Sequence, residues 1–239
     1  MFKKYSGKLY CFSPPVMLAT LILELSLALY TVWRYKLTTI SRLVVCILIS
    51  LAIFQGAEYM LCGGLGLTGV EWARLGYMAI TLLPPLGLHL CIVLAKKKAA
   101  LLVAAAYVTA AAFIYYFVFV THSMAGQVCR ANYAVFDLHE TASWVYGLYY
   151  YGWLLVSAAL AYGWSDGHAH KKELRALVLG YAVFIIPTTF FNIIDPTTIG
   201  GIPSIMCGFA VLLAIILVAR ILPLTTPRRP GSNGQSSVV

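Results

Sequence analysis

The chain has 239 residues, 61% of them hydrophobic and 10% charged, with a formal net charge of +9 and a mean hydropathy of +0.85. Soluble domains carry roughly 25% charged residues, so water is excluded as the solvent for most of this surface. In a soluble protein the charge would suggest a nucleic-acid partner; here the cations sit in short clusters flanking apolar runs, which excludes that reading.

Each apolar run is about 20 residues long, enough for a helix to cross roughly 30 Å of hydrocarbon. Their continuity excludes a membrane β-barrel, whose strands alternate over about 10 residues. The pattern predicts an all-α, polytopic seven-transmembrane bundle, one domain over 1–222. Its helices fall at about 14–33, 43–62, 75–95, 99–121, 144–164, 176–195 and 203–222. Residues 223–239, rich in Pro, Arg, Gly and Ser, are expected to be a disordered cytoplasmic tail, with no soluble output domain in this polypeptide.

The first span follows Lys3, Lys4 and Lys8 and meets Arg34, Tyr35 and Lys36 instead of a small-residue cleavage site, so it is read as a retained helix. In a seven-helix arrangement Arg34, Lys36, Arg42, Lys96, Lys97, Lys98, Lys171, Lys172, Arg175, Arg220, Arg228 and Arg229 all fall on one side. The other side has Arg74, Arg130 and the N-terminal lysines. The positive-inside rule then predicts an external N-terminus and a cytoplasmic C-terminus in a bacterial-type inner (plasma) membrane, with membrane lipid headgroups meeting the cations.

In the first span Glu24 shares a face with Thr20 and Thr31, and in the second Gln55, Glu58 and Cys62 form a stripe toward the outer end. The third contains Pro84 and Pro85, which remove backbone hydrogen bonds and invite a kink, and then His89, a candidate ligand donor. The fourth is rich in alanine (Ala104, Ala105, Ala106, Ala110, Ala111, Ala112), which suits a central helix or a homodimer contact. The loop that follows holds His122, Asp137, His139 and Glu140 without the compact spacing of a zinc site, so neither a metal nor another cofactor is expected.

The fifth span opens with Trp144, Tyr146, Tyr149, Tyr150, Tyr151 and Trp153, an aromatic belt of which some members are expected to line an outer cavity. The sixth contains Pro187 and places Thr188, Asn192 and Asp195 on one face. The seventh lacks a lysine for a retinal Schiff base, and no Asp-Arg-Tyr run follows the third, which excludes a retinal pigment and a G-protein-coupled receptor.

Glu24, Glu58 and Asp195 are the candidates for chemistry, because ionisable groups in hydrocarbon are costly. The alternative is interhelical hydrogen bonding, at about 1 kcal/mol or less each. The ligand-binding candidates are Gln55, Glu58, His89, Tyr149, Tyr150, Asn192 and Asp195, around an outward-facing cavity for a small lipophilic ligand. Cys46, Cys91 and Cys207 fall within spans, whereas Cys11, Cys62 and Cys129 reach the outer side, where Cys62 with Cys129 is a disulfide candidate and the odd count leaves the pairing open.

The segment Trp72, Ala73, Arg74, Leu75, Gly76, Tyr77, followed by Leu83, Pro84, Pro85, Leu86 and Leu88, resembles the seven-helix N-terminal sensor region of certain bacterial histidine kinases. That resemblance implies a ligand-sensing bundle that signals through a separate partner. In size and layout the chain is also similar to small seven-helix terpene cyclases, which use intramembrane carboxyls. There Glu58 and Asp195 would serve as acid and base. A small seven-helix transporter is a third alternative.

Overall fold

A computed structural model describes residues 14–63, 68–120, 124–129, 134–138, 140–165, 170–196 and 201–229, with the segments between 124 and 138 described by their backbone alone. In chain order these form α1 (Pro14–Arg34), α2 (Thr39–Gly63), α3 (Gly69–Thr81), α4 (Leu83–Leu94), α5 (Ala100–Phe119), α6 (Glu140–Ser165), α7 (Lys171–Ile194) and α8 (Ile202–Ile216). A π-helical turn, Leu217–Ile221, then leads into a last helical turn, α9 (Leu222–Thr225). Between α5 and α6, β1 (Met124–Cys129) pairs antiparallel with β2 (Ala134–Leu138) and lies against α3. The sequence predicts a loop over this segment. Its Val128, Val135 and Phe136 are strand formers, but five or six residues are too few to stand out as a period-two run between two apolar helices.

Among the described residues six helical rods are long and apolar enough to cross a membrane, α3–α4 counting as one and α8 through α9 as another. The remaining rod, α6, is 26 residues long, and its Tyr, Trp, Gly and Ser residues dilute its apolar character. The α3–α4 rod and α2 form the centre, with 72% and 61% of their apolar windows buried, while α5 is peripheral at 17%. The alanine-rich helix is therefore not the central one. Ala106 and Ala110 pack inward, and Ala104, Ala105, Ala111 and Ala112 are exposed.

The third expected span is broken at Leu82. A capping box, in which Thr68 and Glu71 satisfy each other's backbone N–H groups, starts α3, and Pro84 and Pro85 occupy the first turn of α4. Pro85 has no N–H for the Thr81 carbonyl one turn back. The Tyr149 hydroxyl of α6 donates to that carbonyl instead, at 2.6 Å, and the Thr81 and Tyr146 hydroxyls lie 3.1 Å apart. The fifth-span aromatics thus face inward in part: Tyr146, Tyr149 and Tyr150 are buried against Tyr77, Phe113 and Phe117, whereas Trp144 is exposed.

The chain end is tied to the α1–α2 connection. Tyr35 pairs with Arg228 in an antiparallel bridge, Lys36 N–H donates to the Pro227 carbonyl at 3.0 Å, and Arg229 N–H donates to the Arg34 carbonyl at 3.0 Å. This corrects the tail boundary expected at residue 223: the chain keeps regular contacts through Arg229, because backbone pairing and burial of Tyr35 and Thr226 hold a segment whose composition alone reads as disordered. Residues 230–239 lie outside the described residues.

Candidate functional site

Helices α1, α2 and α8 pack against one another. Leu21 of α1 packs beside Gly56 of α2, which sets the register of the antiparallel pair. Glu24 lies one turn beyond Leu21 on α1 and Glu58 half a turn beyond Gly56 on α2, so both sit within a turn of this crossing, with Gln55 adjacent to it. Glu24, Gln55 and Glu58 are 0%, 2% and 1% exposed, and from α8 come Ser204 and Cys207, equally buried.

Glu58 is hydrogen-bonded to Ser204, Glu24 and Glu58 lie within electrostatic reach of each other, and Cys207 is within reach of both. Among the described residues both Glu24 oxygens, Oε1 of Glu58 and Nε2 of Gln55 have no hydrogen-bond partner. The neighbouring hydroxyls do not help. Thr20 donates to the Met17 carbonyl at 2.9 Å and Thr31 to the Leu27 carbonyl at 2.8 Å, both within α1. Among the described residues no Lys, Arg or His acts on either carboxyl: Arg74 reaches the Val120 carbonyl at 3.5 Å, and His89 lies 3.4 Å from the Tyr107 hydroxyl. Native interiors satisfy nearly all buried polar atoms, so such a concentration in one layer marks a site and not ordinary packing.

A cavity of about 30 Å³ lies beside this layer, lined by Tyr150, Tyr181, Gly87, Leu154, Met206 and Cys207 among others. That is room for a water or two, not for a lipophilic ligand. Cys207 is shared by the cavity and the carboxyl layer. On the far wall the Tyr181 and Ser157 hydroxyls are 2.8 Å apart, and Gly87 has no room for a Cβ because the Tyr181 hydroxyl occupies that position.

The structure divides the sequence candidates into groups. Glu24 and Glu58 come within electrostatic reach of each other, Gln55 lies one turn before Glu58 on α2, and Tyr150 lines the adjoining cavity. Tyr149 serves the proline break of α3–α4, and His89 packs edge-to-face on Tyr107 in the α4–α5 contact. Asp195 is exposed at the C-cap of α7, and Asn192 is half-buried one turn earlier. The cavity beside the carboxyl layer is lined by residues of α2, α4, α6, α7 and α8, and neither Asn192 nor Asp195 is among them. Cys62 is disulfide-bonded, and Cys46, Cys91 and Cys207 are free thiols. Its partner is accordingly Cys11 or Cys129, whose side chains lie outside the described residues, as do His122 and His139. Among the described residues no group of three His, Cys, Asp or Glu could hold a metal ion.

Ser204 and Cys207 were not singled out in the sequence. Ser204 follows Pro203 at the start of α8, and Cys207 reads as a small apolar residue; neither type signals a site until α8 is seen against α1 and α2. No protein-family model matches this chain, and no curated protein matches it.

Proposed function

We propose that this protein is a seven-crossing sensory membrane protein, N-terminus outside and C-terminus in the cytoplasm, whose responsive centre is the Glu24–Glu58 layer loaded by protons from the outer side. The observation that carries this reading is the meeting of two fully buried carboxyls from different helices with no cationic partner among the described residues. Such a pair changes its charge, and with it the packing of α1, α2 and α8, when it gains or loses a proton. The orientation is supported at both ends: a disulfide at Cys62 suits an oxidising outer compartment, and the cation clusters suit the cytoplasmic face. The likeness of the Trp72 to Leu88 segment to histidine-kinase sensor regions fits a role in which output comes from a separate partner. Cyclase chemistry with Glu58 and Asp195 is not favoured, because Asp195 is exposed at the C-cap of α7 while Glu58 is buried, and the cavity beside the carboxyl layer has no room for a terpene.

Reporter fusions after Lys98 and Arg229 are expected to report cytoplasm, and one near Gln127 the outside. In lipid nanodiscs, a pair that keeps its proton in the folded state and releases it on unfolding makes the protein less stable as pH rises. The melting temperature of the wild type is therefore expected to fall between acidic and alkaline buffer, and that of Glu58→Gln to change much less. A cytoplasmic Gln127, or equal pH profiles for wild type and variant, overturns the proposal.

A further inference from the structure

Resting on the reading of Glu24 and Glu58 as an ion-handling centre, we infer that the same layer binds a monovalent alkali cation in exchange for one proton. Two carboxyls in a low-dielectric layer are neutral with two protons, or with one proton and one monovalent cation; a divalent ion would require both protons to leave. Exchange of H⁺ for a monovalent cation thus leaves the net charge of the layer unchanged, with the displaced proton passing to solvent.

The donor set suits a hard cation. It consists of the two Glu24 oxygens, Oε1 of Glu58, the Gln55 amide and the Ser204 hydroxyl, all oxygen ligands except that the amide can present either face by rotation of its terminal group. Gln55 is the second, independent sign of an occupant. Its Nε2 is unpartnered at 2% exposure, next to the Leu21–Gly56 crossing, and a buried N–H donor without an acceptor is costly unless a water, such as one carried by a bound cation, accepts from it. The absence of a third carboxylate, His or paired Cys among the described residues argues against a transition metal or calcium.

Among the described residues the titratable and charged groups around the pair are few. α1 contributes Glu24 and α2 Glu58; α8 contributes Cys207, within electrostatic reach of the Tyr146 and Tyr150 hydroxyls of α6; Glu71 of α3 is held in its capping box, Arg74 reaches the Val120 carbonyl, and His89 of α4 faces Tyr107. None of these supplies a competing cation.

The test uses the full-length protein in nanodiscs, with lithium, sodium, potassium or choline chloride at equal ionic strength. Exchange predicts that lithium or sodium raises the melting temperature over choline in alkaline buffer and not in acid, with apparent cation affinity rising about tenfold per pH unit as proton competition falls. In weakly buffered solution, addition of the cation should release about one proton per cation bound. Glu24→Gln and Glu58→Gln should lose both effects, and Ser204→Ala, which keeps the carboxyls, should weaken the cation effect alone. If choline matches every alkali cation and no proton is released, while the pH-dependent melting of the wild type persists, the cation inference fails and the proton reading stands. If the pH dependence is also missing, both fall.

Discussion

The Tyr149 hydroxyl donates to the Thr81 carbonyl at 2.6 Å, and Thr81 is the residue whose usual helical partner, the N–H four positions on, is missing at Pro85. A side chain of α6 thus completes the backbone of the α3–α4 rod at its break. Tyr149→Phe leaves a buried carbonyl unpaired and is expected to destabilise the protein by about 1–3 kcal/mol. In Pro85→Ala the restored N–H takes over that carbonyl, so the same tyrosine substitution should cost much less in that background. A double-mutant cycle on melting or denaturant midpoints reads this coupling; additive effects would mean that the two residues do not share the carbonyl.

Gly87 is the point of close approach between α4 and α7. A Cβ there meets the Tyr181 hydroxyl, which also pairs with Ser157 at 2.8 Å. Gly87→Ala is expected to destabilise by about 1–3 kcal/mol through overpacking. Tyr181→Phe removes the obstructing oxygen, so Gly87→Ala should cost less when combined with it. A Gly87→Ala protein that melts with the wild type would show that the helices separate without penalty.

At the basic end, Arg229→Pro removes the N–H that meets the Arg34 carbonyl, whereas Arg229→Ala removes only the side chain. The proline variant is expected to expose the chain around Arg34 and Lys36 to trypsin, with a stability loss of about 1 kcal/mol, and the alanine variant is expected to digest like wild type. Equal digestion of all three would place no constraint on the loop from the chain end.

The apolar helical rods, six of them long and apolar enough to cross a membrane, were legible because continuous apolar runs have no other use at this composition, and Glu24, Gln55 and Glu58 were legible because polar side chains inside such runs are costly. Which stripes meet was not. The sequence places Glu58 and Asp195 at one depth, but depth carries no information about which side chains share a cavity, and the cavity beside the carboxyl layer is lined by neither Asn192 nor Asp195. The helix ends were also short: α2 starts at Thr39 and α7 at Lys171, because capping and loop contacts carry helices beyond the hydrocarbon-length window. The Tyr35–Arg228 pairing had no local signal, since both partners sit in polar connections and find each other only after the bundle is formed.

Cys62 is bonded, and pairing with Cys129 would tie the end of α2 to the hairpin that lies against α3. Mass spectrometry of non-reduced peptides is expected to recover a Cys62–Cys129 cross-link, and Cys129→Ser should lower stability by about 2–4 kcal/mol in the chain-entropy account, less where membrane anchoring already restricts the unfolded chain. A Cys11–Cys62 cross-link instead would assign the bond to the N-terminal segment.

The central claim is that Glu24 and Glu58 form one proton-holding layer inside the bundle. Infrared difference spectroscopy of the protein in lipid reads this most directly, through the carbonyl stretch of a protonated carboxylic acid, which an ionised carboxylate lacks. At neutral pH without alkali cations the wild type is expected to show a buried carboxylic-acid band that fades as the pH is raised, to change in Glu24→Gln and in Glu58→Gln, and to disappear in the double variant. A wild-type spectrum with no such band at neutral pH, or one that persists unchanged in the double variant, would contradict the account.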